Sequence, residues 1–395
     1  MDICGEKYYR AFVTIDLDAI YKNVENISKR IKKGTNIIAV IKTDGYGHGA
    51  IPIARTIDNL VSAYAVATVD EAVNLRNHDI SKPIYVIGYT HESQLDRMIK
   101  NDIRPTVFTH DMALAVNDVA IKNNKIANIH IKLDTGMSRI GFKDNMESIE
   151  IIKKISGLTN INIEGIFTHF AKADEEDKEA TFVQLERFKD FVQKLEKEGI
   201  NIPIKHTSNS AALMELPECN FDAVRAGIAM YGLYPSDEVD KNTVKLYPAL
   251  GLKSHIVYVK EIEKGTAVSY GGTFVADKKM KIATIPLGYG DGYRRSLSNK
   301  GYVLINGKKA NILGRVCMDQ FMVDVTDIDA KKDDEVVLIG KSGNKEITVE
   351  ELAGLAEETF NYEIVCDLGK RIPRVFYRNG QIIGTKDYFD DRYDF

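Results

Sequence analysis

Eight short apolar runs, rich in β-branched residues, recur along the first part of the chain and alternate with amphipathic segments. Their continuous hydrophobicity is typical of strands buried on both faces of a parallel sheet. The clearest intervening helix is Thr181–Glu198, whose Phe182 and Leu185 are predicted to share one buried face. The strand predictions are Ile37–Ile41, Tyr64–Ala67, Ile84–Ile87, Pro105–Phe108, Ile129–Leu133, Ile161–Phe167, Ile202–His206 and Phe221–Val224.

This alternation predicts an α/β fold whose N-terminal part is a (β/α)8 TIM barrel. An open doubly wound sheet is the alternative. Its dinucleotide-binding form requires a glycine-rich first turn, which the chain lacks in the usual form. Before the barrel, Phe12–Ile15 predicts a short strand, and Asp18 predicts the N-cap of the first helix.

After about Tyr234 the pattern changes to short strands separated by Gly, Asn and Asp turns, with one clear helix at Glu350–Phe360. We therefore predict a barrel at 12–240 followed by a mainly β C-terminal domain at 241–395, which the N-terminal strand within 1–15 could join. The predicted strands are Ser254–Val259, Ala267–Tyr270, Ile282–Pro286, Tyr302–Ile305, Ala310–Leu313, Phe321–Val325 and Val336–Ile339.

Composition narrows the class of protein. The 395 residues carry a formal net charge of −4, and Lys and Arg are dispersed, so we expect no nucleic-acid partner. No apolar run approaches the roughly 20 residues of a membrane helix, and the N-terminus has no apolar signal-peptide core. The four cysteines lie far apart without metal-ligand spacing, so we expect reduced thiols, no metal site and a cytoplasmic location.

Polar side chains follow several of the predicted barrel strands. Lys42 comes directly after the first strand, and a lysine there could form a Schiff base with a carbonyl group. Taken alone, a lysine at a strand end is more often a solvated side chain. Because active sites of this fold lie where the strands end, we expect a shared site from these residues: Lys132 and Arg139, His169, His206 with Asn209 and Ser210, and Arg225 with Gly227.

Each of these residues also has a plain alternative: a surface charge, a core histidine, a loop anchor or a helix cap. Their convergence at one face favours a functional site. Ser210, Gly227 and Ile228 follow the seventh and eighth strands, a frequent phosphate site in this fold. Short polar side chains and free backbone N–H groups suit a phosphate.

The segment Ile37-Ile38-Ala39-Val40-Ile41-Lys42-Thr43-Asp44-Gly45-Tyr46-Gly47-His48-Gly49 resembles the signature around the cofactor lysine of the alanine racemases. The resemblance extends from about Phe12 to Arg374. It implies an isomerase that uses pyridoxal 5′-phosphate (PLP) to interconvert L- and D-alanine, with D-alanine supplied to peptidoglycan synthesis. A two-fold homodimer with shared active sites is also implied.

The resemblance further implies roles for individual residues. Lys42 would hold PLP and act as one base, and Tyr270, from the partner subunit, would be the second base. His169 would support that tyrosine, and Arg225 would face the pyridine nitrogen. The remaining residues are expected to bind the cofactor or the substrate: Tyr46, Asn209, Ser210, Gly227 and Ile228 at or near the phosphate, Arg139 at the phenolic oxygen and the substrate, and Met318 and Tyr289 at the substrate.

Three positions affect how much of the family's chemistry the resemblance implies for this chain. Thr43 stands where alanine is usual, and Lys132 matches a lysine that is often carbamylated. Lys370 stands where many members have a pocket tyrosine, so a racemase of serine or of a broader range of small amino acids is the alternative. A decarboxylase on the same barrel and a non-catalytic PLP carrier are less favoured, because Tyr270 and a whole second domain are present.

Overall fold

The computed structural model describes residues 8, 10–357 and 359–388. The chain divides into two compact units. One holds Ala19–Gly45 and Ala50–Tyr247, and the other holds the described residues within Met1–Asp18, Tyr46–Gly49 and Pro248–Phe395. The domain bounds 12–240 and 241–395 stay a prediction, because compactness alone does not define a domain that folds independently.

The first unit is a parallel barrel, which confirms the predicted fold. Each strand pairs in parallel with its neighbour. Between the seventh and eighth strands, Asp222 N–H donates to Lys205 O and Arg225 N–H donates to Ser208 O, so the sheet nearly closes. The eight strands are Asn36–Val40, Ala63–Val66, Ile84–Val86, Ile103–Val107, Ala127–Asp134, Ile161–Phe167, Ile204–His206 and Ala223–Ala226.

Helices separate the barrel strands, and side-chain caps fix where several of them begin. Thr68, Thr109, Asn145 and Asn209 each accept the N–H of the residue three positions later. These contacts satisfy backbone donors that the helix itself leaves unpaired. The helices are Leu17–Arg30, Ala50–Ile57, Val69–Arg76, Leu95–Lys100, His110–Lys122, Met146–Ser156, Glu179–Lys197 and Ser210–Glu215.

Two helix predictions need correction. Phe182 is 38% exposed, because it lies about 120° around the helix from Phe188, at the edge of the apolar stripe. The first helix begins at Leu17, and the Asp16 carboxylate accepts the N–H of Asp18, so the capping side chain is Asp16.

The second unit is mainly β, as predicted. The N-terminal strand pairs antiparallel with Leu250–His255 and parallel with Arg374–Arg378. Its strands are Ala11–Asp16, Leu250–His255, Tyr258–Ile262, Ala267–Val268, Phe274–Val275, Met280–Ile285, Tyr302–Ile305, Lys308–Leu313, Phe321–Asp324, Glu335–Ser342, Lys345–Ile347, Arg374–Arg378 and Gln381–Lys386.

Three segments of this unit differ from the prediction. The strand expected at Ser254–Val259 is interrupted, because Leu250–His255 ends within it and Tyr258–Ile262 begins after two intervening residues. In place of one helix at Glu350–Phe360 there are two, Val349–Ala356 and Asn361–Cys366, because the backbone leaves the helical region at Glu357, with φ 54°. Glu358 lies outside the described residues. The strand expected at Ala267–Tyr270 ends at Val268.

The described residues offer no helix that is long and apolar enough to span a bilayer. Three of the four cysteines, Cys219, Cys317 and Cys366, are described, and none of these three is in a disulfide. Cys4 and residues 389–395 lie outside the described part of the chain.

Candidate active site

A left-handed turn follows the first barrel strand, immediately after Lys42. Thr43, Asp44 and Gly45 have φ of 54°, 51° and 65°, and Tyr46 has φ 52°. Residues other than glycine pay about 1–2 kcal/mol each in this region. Strain of this kind is kept where the surrounding structure determines it, which is common at functional sites.

Two carboxylates anchor this turn. Glu71 accepts the N–H of Thr43, and its other oxygen accepts the N–H groups of Ala67 (2.8 Å) and Thr68 (3.2 Å). Asp44 accepts the N–H of Ala50 at 2.9 Å, where the next helix begins. The backbone beside Lys42 is therefore hydrogen bonded to the first turn of the helix Val69–Arg76, which follows the second strand.

Lys132 is a buried lysine on the fifth strand, 3% exposed. Its Nζ donates to Leu133 O at 2.8 Å, and no carboxylate pairs with it among the described residues. Burial and the charges of Arg225 and Arg139 lower the pKa of Lys132 to about 7, while Asp134 opposes the shift. A considerable fraction of this amine is therefore unprotonated near neutral pH.

Arg225, on the eighth strand, is 3% exposed and almost fully hydrogen bonded. Nη1 donates to His206 O and His206 Nδ1, both at 2.9 Å, and Nη2 donates to Thr168 O and Thr207 O, both at 2.8 Å. Guanidinium has five N–H donors, and the described residues supply no partner for the remaining one, on Nε. Burial lowers the pKa of Arg225 to about 9, so it stays charged near neutral pH.

His169 lies among several cations. Its Nδ1 is 3.3 Å from Arg225 Nη2, and a guanidinium can only donate, so the neutral ring carries its proton on Nε2. Burial, followed by the charges of Arg225, Arg139, Lys132 and Lys42, lowers the pKa of His169 well below its ordinary value. The hydrogen bond and the charge effects link five of the predicted site residues at the ends of the barrel strands: Lys42, Lys132, Arg139, His169 and Arg225.

Small polar groups follow the seventh and eighth strands. Ser210 Oγ accepts the N–H groups of Gly227 (3.0 Å) and Ala229 (3.4 Å), which leaves its own hydroxyl hydrogen able to donate. Asn209 caps the helix Ser210–Glu215, a role that the plain alternative gave to Ser210. The cluster offers short donors of the kind that bind phosphate oxygens. Tyr46, which belongs to the second unit, is buried, and burial raises its pKa.

In the second unit, Tyr270 lies on a short turn and is 69% exposed. The backbone turns sharply before it, at Ser269, with φ 66°. Ser269 Oγ donates to Arg315 O at 2.6 Å and so ties this turn to the segment that leads to Cys317.

Tyr289 and Met318 lie on two loops of the second unit that hydrogen bond to each other. Tyr289 N–H donates to Cys317 O at 3.0 Å, and Gly290 N–H donates to Met318 O at 2.9 Å. Side chains of Tyr289 and Met318 are 42% and 52% exposed. Asp291, two residues after Tyr289, is fully buried. Its carboxylate accepts hydrogen bonds from the Arg10 guanidinium and from the N–H of Gly288.

Sequence reasoning did not single out Glu71, His130 or Glu164. A capping box, Thr68 with Glu71 three residues later, was a usable signal for the first. His130 and Lys132 alternate with isoleucine and leucine in a buried strand, and a buried polar side chain of this kind was a signal for a hydrogen-bond partner. Lys370 is exposed, and it has no partner among the residues that the structure describes.

A barrel with lysines, arginines and a histidine gathered at its strand ends, followed by a mainly β unit, defines an enzyme of the (β/α)8 class. Family models for the N-terminal and C-terminal domains of alanine racemase match residues 15–235 and 249–376. The chain belongs to the alanine racemase family. This membership confirms the predicted family and the predicted enzyme class, an isomerase.

Individual relatives agree over almost the whole chain. Alanine racemase 1 of Clostridium acetobutylicum is 46% identical over 376 residues, covering 95% of this chain and 97% of that protein. The solved alanine racemase of Clostridium difficile 630 is 41% identical with a TM-score of 0.93, covering 96% of this chain and 99% of its own. A histidine racemase from Leuconostoc mesenteroides is 27% identical with a TM-score of 0.84, covering 94% and 98%.

Proposed function

We propose that the chain is a PLP-dependent racemase that interconverts L- and D-alanine with Lys42 and Tyr270 as its two bases. The observation that carries the proposal is the buried Arg225, whose two Nη groups are held by hydrogen bonds and whose Nε–H has no partner among the described residues. An aromatic nitrogen with a free lone pair is an acceptor that such a donor fits.

The residues present suit each part of the cofactor. The Lys42 amine would attach to the aldehyde carbon, and Arg225 would donate to the ring nitrogen. Arg139 would meet the phenolic oxygen, and the phosphate would lie at Ser210 with its neighbours Asn209, Gly227 and Ile228, and at Tyr46. When bound, PLP withdraws electrons from the substrate α-carbon and so makes its proton acidic.

Arginine at the ring nitrogen has a chemical consequence. Because a guanidinium gives up no proton at working pH, Arg225 would leave the ring nitrogen unprotonated and the cofactor a weaker electron sink. That limits the lifetime of a carbanion and the side reactions that follow from it. It suits an enzyme that removes one proton and promptly returns another.

Two bases on opposite faces of the substrate are required to invert the carbon. Lys42 serves one face and Tyr270 the other. Tyrosine has an ordinary pKa of about 10, which is too high for an efficient base near neutrality. The neutral His169 has an Nε2–H that can donate to a phenolate oxygen, and cations lie around it. Together they would stabilise the phenolate form of Tyr270, which is the form that acts as a base.

Tyr270 would come from the partner subunit of a homodimer with shared sites. Exposure supports this: Tyr270, Tyr289 and Met318 are aromatic or thioether side chains that the single chain leaves 42–69% exposed. Such residues are enriched at protein interfaces. Met318 and Arg139 would bind the substrate carboxylate, and Tyr289 would line the entrance.

Alanine is the proposed substrate, and a cytoplasmic enzyme that supplies D-alanine for peptidoglycan is the proposed setting. Serine or another small amino acid is the second candidate, because Lys370 replaces the usual pocket tyrosine. Fold alone does not decide between them, since a histidine racemase shares it.

The test is proton NMR of the PLP-loaded enzyme in D2O with L-alanine and then with L-serine. Loss of the α-proton signal, with the D-enantiomer confirmed by chiral chromatography, would establish racemisation and rank the substrates. Lys42→Ala, which lacks the covalent attachment point, is the matched control. Cofactor absorbance without exchange of either amino acid would contradict the proposal and favour a carrier.

A further inference from the structure

A line of hydrogen-bonded ionisable groups leads from Arg225 into the barrel interior. Arg225 Nη1 lies 2.9 Å from His206 Nδ1, and His206 Nε2 lies 2.9 Å from His130 Nδ1. His130 Nε2 is 3.2 Å from Glu164 Oε2, which Arg104 Nε meets at 3.4 Å. We name these five residues the Arg225–Glu164 relay.

The directions of these hydrogen bonds follow from one fixed donor. Arg225 can only donate, so His206 Nδ1 accepts and its proton lies on Nε2. That N–H then donates to His130 Nδ1, which places the His130 proton on Nε2 as well. His130 therefore donates to the Glu164 carboxylate, and both histidines are neutral.

Packing holds the two rings in this arrangement. His206 and His130 are 1% and 2% exposed, and the Phe167 ring stacks on His206 with centroids 4.8 Å apart. Gly165 lies opposite His130 on the neighbouring strand, and a Cβ at Gly165 would lie 2.4 Å from the His130 ring. Glycine at this position therefore leaves the space that the His130 ring occupies.

The electrostatics agree with this assignment. Burial, then the charge of Arg225, lowers the pKa of His206 well below its ordinary value. Burial also lowers the pKa of His130, against the opposing effect of Glu164. Burial raises the pKa of Glu164, but the hydrogen bond from His130 and the charge of Arg104 together bring it below its ordinary value, so it is ionised.

We propose that Glu164 is a positioning residue for the reaction: acting through neutral His130 and His206, it orients Arg225 and stabilises its charge without touching it. This deepens the proposed function, since it rests on Arg225 facing the cofactor ring. A carboxylate in direct contact would accept the guanidinium N–H groups and cancel much of their field. Two neutral rings between the charges keep that field available at the ring nitrogen.

The decisive variant is Glu164→Gln, which keeps an acceptor for His130 and removes the charge. We expect kcat to fall between about two- and thirty-fold with little change in KM, the range for residues coupled to a site through a network. The absorption band of the loaded enzyme and the 15N shift of isotopically labelled cofactor should also move. Glu164→Asp, which keeps the charge, should retain more activity and serves if the Gln variant does not fold.

Glu215→Gln is the matched control. Glu215 pairs with Lys178 at 2.7 Å in the same unit, and the two side chains are 14% and 17% exposed, comparable with Glu164 and Arg104. This variant removes a largely buried ion pair that is not part of the relay. Equal effects of the two variants on kcat and on the cofactor signals would show a structural role only and overturn the proposal.

A second readout does not depend on turnover. In loaded enzyme with 15N-labelled histidine, His206 and His130 should both give the shifts of neutral rings protonated on Nε2. A cationic ring or a proton on Nδ1 at either residue would overturn the relay. Correct tautomers in an enzyme that does not racemise alanine would instead locate the failure in the proposed function.

Discussion

At the scale of single residues, burial decides which charged side chains can react. Lys132 has a pKa of about 7, because burial and neighbouring arginines disfavour its charged form. Arg225 is equally buried but stays protonated, because even its lowered pKa of about 9 lies above neutrality. The same barrel interior therefore produces one available amine and one permanent cation.

We expect Lys132 to form a carbamate with dissolved CO2. The neutral amine attacks the carbon, an N–C bond forms and one proton is released. Because only the unprotonated amine reacts, occupancy should rise as the pH increases through about 7, well below the range for an exposed lysine. The 13C NMR signal with labelled bicarbonate measures it. Lys132→Arg is the control, and an unchanged signal in that variant would assign the carbamate elsewhere.

Tyr270→Phe should remove mainly the proton transfer on the L-amino-acid side, because it lacks the phenolic oxygen, while cofactor absorbance stays intact. Solvent deuterium exchange measured separately from L- and D-alanine resolves the two sides. Tyr258→Phe, another exposed tyrosine of the same unit at 57%, should leave both unchanged. Normal L-to-D turnover by Tyr270→Phe would exclude this tyrosine as the second base.

At the scale of elements, the strained turn after Lys42 depends on its anchors. Three residues other than glycine adopt left-handed φ there, at a cost of about 1–2 kcal/mol each. Glu71 offsets part of that cost by accepting the N–H of Thr43 in the turn and the N–H of Ala67 after the second strand, which links the two segments. The backbone beside Lys42 is thus held by a side chain in the first turn of the helix after the next strand.

Glu71→Gln should lower the free energy of unfolding by about 1–3 kcal/mol, because the amide NH2 replaces an acceptor and leaves an N–H without a partner. PLP should also dissociate more readily from the Glu71→Gln variant. Urea unfolding and PLP dissociation measured by absorbance provide the two readouts. Asp70→Asn, at the exposed neighbour that pairs with Arg97, should cost less than about 1 kcal/mol. Equal losses would remove the special role of Glu71.

Hydrophobic periodicity predicted most of the elements because burial is encoded locally. The strand Ile161–Phe167 matches its prediction at both ends. Ala267–Tyr270 was too long, because the turn at Ser269 depends on a hydrogen bond to Arg315, which the local pattern does not contain. Lys42 and Arg225 stood out by their positions at strand ends. Glu164 did not, because its partner His130 is brought to it only when the neighbouring strands pair.

At the scale of the whole molecule, the proposed site needs two chains. The described residues place Lys42 and Tyr270 in different compact units, and Tyr270 is largely exposed. A dimer that shares its sites would place the Tyr270 of one protomer at the Lys42 of its partner. That arrangement has a consequence for mixed dimers that a self-contained site does not have.

Lys42→Ala and Tyr270→Ala should each be inactive, and a mixed dimer of the two should recover activity. One of its sites receives both intact residues, so about half of the sites should work. Dimers purified through two different affinity tags measure this, with wild-type mixed dimers as the control. A mixed dimer as inactive as its parents would show that each chain completes its own site.

The first strand is translated early, but it pairs with strands that lie much later in the sequence, so it joins its sheet late. Ala11–Asp16 is translated before the barrel, yet its partners are Leu250–His255 and Arg374–Arg378. The barrel residues are all translated before the last of these partners, so the barrel can fold during translation while the first strand waits. The second unit, which carries Tyr270 and Met318, is completed only after Arg374–Arg378 has been translated.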